Sequence, residues 1–149
     1  MLLKSIYTPD VVCCGPTTSI QAAATLMRAK HTGDLVVVDD PDEARIPLGI
    51  ITDRDIVVDV LAAGMNPATT TVGSIVHPPV VVAGESEDAS EALQRMRTHG
   101  VRRLPVVGAN GRLVGILTLD DVLGLVASDL NALVDLVRRQ QDREHRSRR

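Results

Sequence analysis

One seven-residue pattern occurs twice in the chain and combines a hydroxyl with a carboxylate. A glycine is followed by two apolar residues, a threonine, two variable residues and an aspartate, at residues 49–55 and again at 115–121. A strand is expected to run directly into a helix there, which places the threonine and the aspartate on one face of the first turn. The N–H groups at a helix N-terminus attract phosphate, and a threonine hydroxyl can donate to it. An aspartate can accept from two ribose hydroxyls, so the pattern suits a nucleotide.

The same residues have a purely local interpretation. Thr-x-x-Asp is also a variant of the capping box, in which the two side chains satisfy unpaired N–H groups of their own helix. The second copy of the motif adds little support for a ligand site, because duplication of one helix cap would also give two copies. From the residues alone, a ligand site and a helix cap both remain open.

An internal repeat organises the whole chain. Residues 5–38 align with residues 74–107 at an offset of 69, with 12 of 34 positions identical. The offset then drops to 66, because the first copy has an insertion at residues 39–45. We therefore divide the chain into a first repeat (5–64), a second repeat (74–128), and a C-terminal helix with a basic tail (129–149).

Each repeat has the pattern of a β-α-β-β-α unit. Short strands at 11–13 and 80–82 come first, and residues 17–19 and 86–88 then offer helix N-caps. The helices that follow have apolar residues at helical spacing, among them Met27, Leu93 and Met96. Two further strands and a closing helix follow in each copy. With 21 Val, 16 Leu, 8 Ile and no Phe or Trp, the core must be aliphatic. Each sheet would have one uncovered face, so an α+β fold is predicted in which the repeats pack sheet to sheet around a pseudo-two-fold axis, with paired clefts between them.

Charge and composition exclude several classes of function. The last twelve residues hold six Arg against Asp142 and Glu144, so the rest of the chain has a net charge of −7. An acidic body with Tyr7 as its one aromatic residue argues against nucleic-acid binding. No apolar run approaches 18 residues and no signal peptide is seen, which predicts no membrane segment. Adjacent Cys13 and Cys14 suggest free thiols in a reducing cytoplasm.

The order of these features resembles a tandem pair of CBS domains (named from cystathionine beta-synthase), also called a Bateman module. The resemblance covers residues 5 to 127 and rests on the Met27 and Met96 helices, the strand at 102–107 and both Gly-to-Asp motifs. It implies a small stand-alone bacterial regulatory module that requires no cofactor and binds an adenine nucleotide of the AMP, ADP or ATP class without covalent chemistry. NAD and S-adenosylmethionine are further ligands of this family, and a homodimer is implied.

The resemblance also implies two clefts, each formed by both repeats. One would contain Thr118, Asp121, Arg102, Arg103, Tyr7, Asp10 and Val12. The other would contain Thr52, Arg54, Asp55, Val76, Pro79 and Val81. The aspartates would hold ribose, the threonines phosphate or ribose, and the two valines adenine. Since the first repeat has Gly33-Asp34 where the second has Arg102-Arg103, we expect unequal clefts, with the better anion site beside Asp121.

The remaining features indicate no catalysis. No nucleophile, acid–base pair or zinc ligand set is recognised among the histidines, cysteines and carboxylates. The alternative to ligand sensing is a protein-interaction module with vestigial clefts. It would bind an unknown protein target through the C-terminal helix, where Leu130, Leu133, Val134 and Val137 form an apolar stripe.

Overall fold

The computed structural model describes residues 1–148 and contains two sets of strands and helices in the same order. The first set is β1 (Cys13–Cys14), α1 (Ile20–Lys30), β2 (Asp34–Val38), β3 (Pro47–Thr52) and α2, an α-helical turn (Asp53–Asp55) that continues as a π-helix (Ile56–Leu61). A short helix, α3 (Val72–Ile75), follows. The second set is β4 (Ala83–Gly84), α4 (Ala89–His99), β5 (Arg103–Val107), β6 (Leu113–Thr118) and α5 (Leu119–Ser147).

The two sheets have the same topology. In each sheet the first strand lies parallel to the second, and the second lies antiparallel to the third. Each antiparallel pair has an irregularity at the same place, between Val37 and Val38 in one sheet and between Val106 and Val107 in the other. The predicted α+β fold with two β-α-β-β-α repeats is therefore confirmed.

Local capping explains where the long helices of each repeat begin. Ser19 Oγ accepts a hydrogen bond from Ala22 N at 3.1 Å, and α1 starts at the next residue. Asp88 Oδ1 accepts from Ser90 N at 3.0 Å at the start of α4. These are the caps expected from the sequence. On α4, however, Leu93 is exposed, although its spacing predicted a core position.

An aliphatic layer between the two sheets joins the repeats. Successive side chains of a strand point to opposite faces of its sheet. In β2, Leu35 and Val37 therefore face the helices, whereas Val36 and Val38 face the other sheet. The layer between the sheets is completed by Leu113 and Ile116 of β6, which confirms the predicted sheet-to-sheet packing.

The segment that enters each repeat crosses to the other repeat. Thr8 and Ile116 exchange two backbone hydrogen bonds, of 3.0 and 2.9 Å, so the entrance to the first repeat pairs with β6 of the second. Leu3 lies in the core of the second repeat, while Val72 and Ile75 of α3 lie in the core of the first. This exchange explains why the first strands begin at Cys13 and Ala83, later than the predicted 11 and 80. The valines before them belong to the crossing segments.

The C-terminal helix differs from the prediction. Helix α5 runs without interruption from Leu119 to Ser147, instead of forming a closing helix of the second repeat and a separate C-terminal helix after residue 128. No proline or other strong helix breaker separates the two apolar stretches, so one helix includes both. Arg149, counted in the predicted tail, lies outside the described residues. None of the described helices is both long enough and apolar enough to cross a membrane.

Candidate functional site

Both Thr-x-x-Asp motifs form complete capping boxes. Thr52 N donates to Asp55 Oδ2 at 2.9 Å, and Asp55 N donates to Thr52 Oγ1 at 3.1 Å. The corresponding distances for Thr118 and Asp121 are 2.9 and 3.2 Å. The capping interpretation is therefore correct. Each bond to a carboxylate uses Oδ2, and within residues 1–148 the Oδ1 atoms accept no hydrogen bond. Capping thus holds each half-buried carboxylate in a fixed orientation with one oxygen still able to accept.

The glycine of each motif is required by the segment that enters from the other repeat. A Cβ on Gly49 would overlap the Val76 side chain. A Cβ on Gly115 would overlap the Tyr7 ring and lie 2.7 Å from Thr8 O. The sequence shows that the glycine recurs, but only the packing explains it.

A cavity between the repeats, which we call the first cleft, brings together residues from three segments. Its volume is about 200 Å³, and its lining is Gly49, Ile50, Val76, His77, Pro79, Val80, Val81, Val101 and Arg103. Three of these residues, Val76, Pro79 and Val81, were predicted to share a cleft. Thr52 and Asp55 lie further along the chain from Ile50 and do not line the cavity itself, and Arg54 is exposed on α2.

Arg103 lines the first cleft, whereas the resemblance implied the cleft of Thr118 and Asp121. Its backbone is in register with Thr118, but its Nε lies 2.8 Å from Asp34 Oδ2 in the first repeat. Asp34 is the residue that aligns with Arg103 at the offset of 69. The ion pair therefore joins equivalent positions of the two repeats across the pseudo-two-fold axis.

The residues predicted for the Asp121 cleft lie in different surroundings. Tyr7 packs over Gly115, and the Arg102 side chain is exposed. Asp10 and Val12 line a separate open cavity of about 580 Å³, together with Pro9, Val11, Cys13, Leu26, Lys30 and Arg45. The positions equivalent to Pro79 and Arg103 are Asp10 and Asp34, which are acidic. Asp34 pairs with Arg103, and Lys30 and Arg45 line the cavity of Asp10, so the expectation of a better anion site beside Asp121 stays a prediction.

Several lining residues were not predicted. His77 and Val101 flank predicted residues in the entering segment and at the start of β5. His77 and Val101 come together because the segment that enters the second repeat crosses to the first, and no local sequence pattern indicates this crossing.

The two thiols are free, as the sequence predicted, and differ in environment. Burial, with a smaller contribution from Cys13, raises the pKa of the Cys14 thiol to about 11. Cys13 is half-buried, and its Sγ accepts a hydrogen bond from Arg45 Nη2 at 3.6 Å. Within residues 1–148, no group of three or more His, Cys, Asp or Glu side chains is placed to hold a metal ion.

Comparison with known proteins finds relatives for most of the chain. An uncharacterized protein of Methanopyrus kandleri is 40% identical over 114 residues, which are 76% of this chain and 57% of that protein. Hypoxic response protein 1 of Mycobacterium tuberculosis is 37% identical over 119 residues, 80% of each chain. The chain thus spans little more than half of the first relative and four fifths of the second.

Solved structures share the fold. The crystal structure of Hypoxic Response Protein I with two coordinated zinc ions has a TM-score of 0.73 and 35% identity, over 83% of this chain and 97% of that one. The CBS domain pair of protein MJ0100, in complex with 5′-methylthioadenosine and S-adenosyl-L-methionine, has a TM-score of 0.74 and 28% identity. The match covers 87% of this chain and 98% of that one. The family model for the CBS domain matches residues 3–61 and 72–128. With both repeats matched and the sheets packed as described, this chain belongs to the CBS-domain family as a tandem pair.

Proposed function

We propose that the chain is a regulatory module that binds an adenine nucleotide non-covalently in the first cleft. The observation that supports this most directly is the placement of Arg103 in an otherwise largely apolar cavity formed by both repeats. An apolar cavity with a few convergent polar groups is the usual form of a small-molecule site. The adenosine-containing ligands of the MJ0100 domain pair support the same ligand class.

Each part of a nucleotide would have a partner, two of them in the cleft lining and the third in the motif that continues from Gly49 and Ile50. The apolar surface of Val76, Pro79 and Val81 would contact adenine. Asp55 Oδ1 would accept from ribose hydroxyls, since Oδ2 is held by Thr52 N. Arg103 would bind phosphate. The cavity of about 200 Å³ is smaller than the roughly 300–1,000 Å³ of typical ligand pockets, so it would enclose the base and leave the phosphates near the ion pair.

The positive charge of Arg103 distinguishes between ligands of this class. S-adenosylmethionine has a sulfonium charge and methylthioadenosine has no phosphate, so neither presents an anionic phosphate to Arg103. We therefore favour AMP, ADP or ATP over these two ligands. Because the ligand would contact both repeats, binding would favour whichever arrangement of the repeats brings its contacts together.

A nucleotide panel tests the proposal. Thermal unfolding is followed with AMP, ADP, ATP, NAD and S-adenosylmethionine, and each ligand that raises the midpoint is then titrated by calorimetry. A ligand present at 100 times its dissociation constant stabilises the folded state by about 2.7 kcal/mol. Arg103→Ala should weaken binding, whereas Arg102→Ala removes a neighbouring exposed arginine and should not. No shift with any of the nucleotides would contradict the proposal.

Two conservative variants assign the cleft. Asp55→Asn and Asp121→Asn keep a side-chain acceptor for the helix cap but remove the carboxylate. We expect the first to weaken nucleotide binding and the second to leave it unchanged. The opposite pattern would place the ligand in the Asp121 cleft. Each nucleotide recovered after incubation should be chemically unaltered, because no catalysis is proposed.

The second candidate function is a protein-interaction module. It is favoured by one observation, the exposed apolar side chains along α5. Under that hypothesis the capping boxes serve the helices alone, and the panel gives no binding.

A further inference from the structure

Helix α5 extends far beyond the body of the protein. Val122 is its buried residue, and every residue from 126 to 148 is exposed. At a rise of 1.5 Å per residue, its helical residues 126–147 span about 33 Å. In proteins most helical stability comes from the packing of an apolar face, so this part of α5 is expected to pack against another surface.

The exposed part of the helix has a regular apolar seam. Five large side chains alternate at intervals of three and four residues: Leu123, Val126, Leu130, Leu133 and Val137. They are between 54% and 61% exposed. This spacing is the heptad pattern by which two helices pack around each other.

The size of the seam suits a second copy of the same helix. With Val134, which lies beside it, the seam exposes on the order of 550 Å² per chain, or about 1,100 Å² for two chains, comparable with the roughly 1,000 Å² expected of a specific interface. A self-complementary surface of this kind forms a two-fold symmetric contact.

Charge along α5 determines the direction in which two copies would pack. Residues 119–137 contain four aspartates and no basic residue. Residues 138–148 contain five arginines against Asp142 and Glu144. Parallel packing would bring the two arginine-rich ends together, whereas antiparallel packing centred on Leu130 places Arg138 and Arg139 beside Asp120 and Asp121 of the other copy.

We propose that α5 pairs with α5 of a second copy as an antiparallel coiled coil through the Leu123–Val137 seam. This inference is independent of nucleotide binding. It assigns the C-terminal helix to self-association, with the arginines as orienting charges.

Sedimentation equilibrium of the full-length chain tests the pairing. The wild type should associate, and Leu130→Glu, which puts a charge at the centre of the seam, should weaken association at least tenfold. Ala132→Glu is the matched control, because Ala132 is exposed and lies about 160° around the helix from Leu130. Circular dichroism verifies that both variants fold. A monomeric wild type, or equal association of Leu130→Glu and wild type, would overturn the proposal.

Oxidative cross-linking tests the direction. In an antiparallel pair the two copies of residue 130 lie close together, while those of residue 137 are far apart. Leu130→Cys should form a disulfide-linked dimer and Val137→Cys should not, with the wild type measuring any background from Cys13. Efficient cross-linking at both positions would establish a parallel pair, and cross-linking at neither would exclude pairing through this seam.

Discussion

Removing the carboxylate of Asp34 should tighten nucleotide binding in the first cleft. Asp34 Oδ2 lies 2.8 Å from Arg103 Nε; the Asp34 side chain is 18% exposed and the Arg103 side chain 41%. A phosphate that binds Arg103 must therefore compete with Asp34. Partly exposed ion pairs contribute at most about 1 kcal/mol, so Asp34→Asn should lower the dissociation constant about two- to fivefold. Arg103→Ala loses a charge-assisted bond of roughly 1.5–3 kcal/mol and should weaken binding by about tenfold or more.

Calorimetric titration with AMP, ADP and ATP at two salt concentrations measures both effects. Asp42→Asn, on the exposed loop of the insertion, removes the same charge away from the cleft and controls for net charge. The gain for Asp34→Asn should shrink as salt increases, because the displaced interaction is electrostatic. Weaker binding by Asp34→Asn, or an equal gain for Asp42→Asn, would refute the competition between carboxylate and phosphate.

Three further expectations follow from packing and burial. Gly115→Ala should lower the free energy of unfolding by about 1–3 kcal/mol, because the new methyl group meets the Tyr7 ring and the hydrogen-bonded Thr8 carbonyl. Denaturant unfolding measures this change, and an unchanged midpoint would contradict it. Gly124→Ala, with open space around its Cβ in the middle of α5, should instead stabilise by up to about 1 kcal/mol, and a loss would show hidden contacts. Above pH 9 the unfolded chain loses the Cys14 proton, whereas the folded chain holds it up to a pKa of about 11, so the free energy of unfolding should fall between these pH values. Denaturant unfolding at several pH values should show a shallower fall for Cys14→Ala than for the wild type, and an equal fall would contradict the burial of the thiol.

The sequence alone predicted the features that depend on neighbours along the chain. The repeat gave the order of strands and helices, and Ser19 and Asp88 marked the helix starts because caps act within one turn. The capping boxes at Thr52 and Thr118 were visible as spacing for the same reason. Sheet-to-sheet packing followed from the need of two half-covered sheets to bury their apolar faces.

Only the tertiary structure decided what surrounds the cleft. Arg103 could have faced either motif, and its pairing with Asp34 depends on how the two sheets meet around the pseudo-two-fold axis. The exchange of entering segments set the strand starts and placed Val76 over Gly49, a contact between residues with no local pattern in common. Caps and periodicity are short-range and can be read along the chain. The position of a side chain between two repeats depends on long-range packing, which was seen only once the chain was folded.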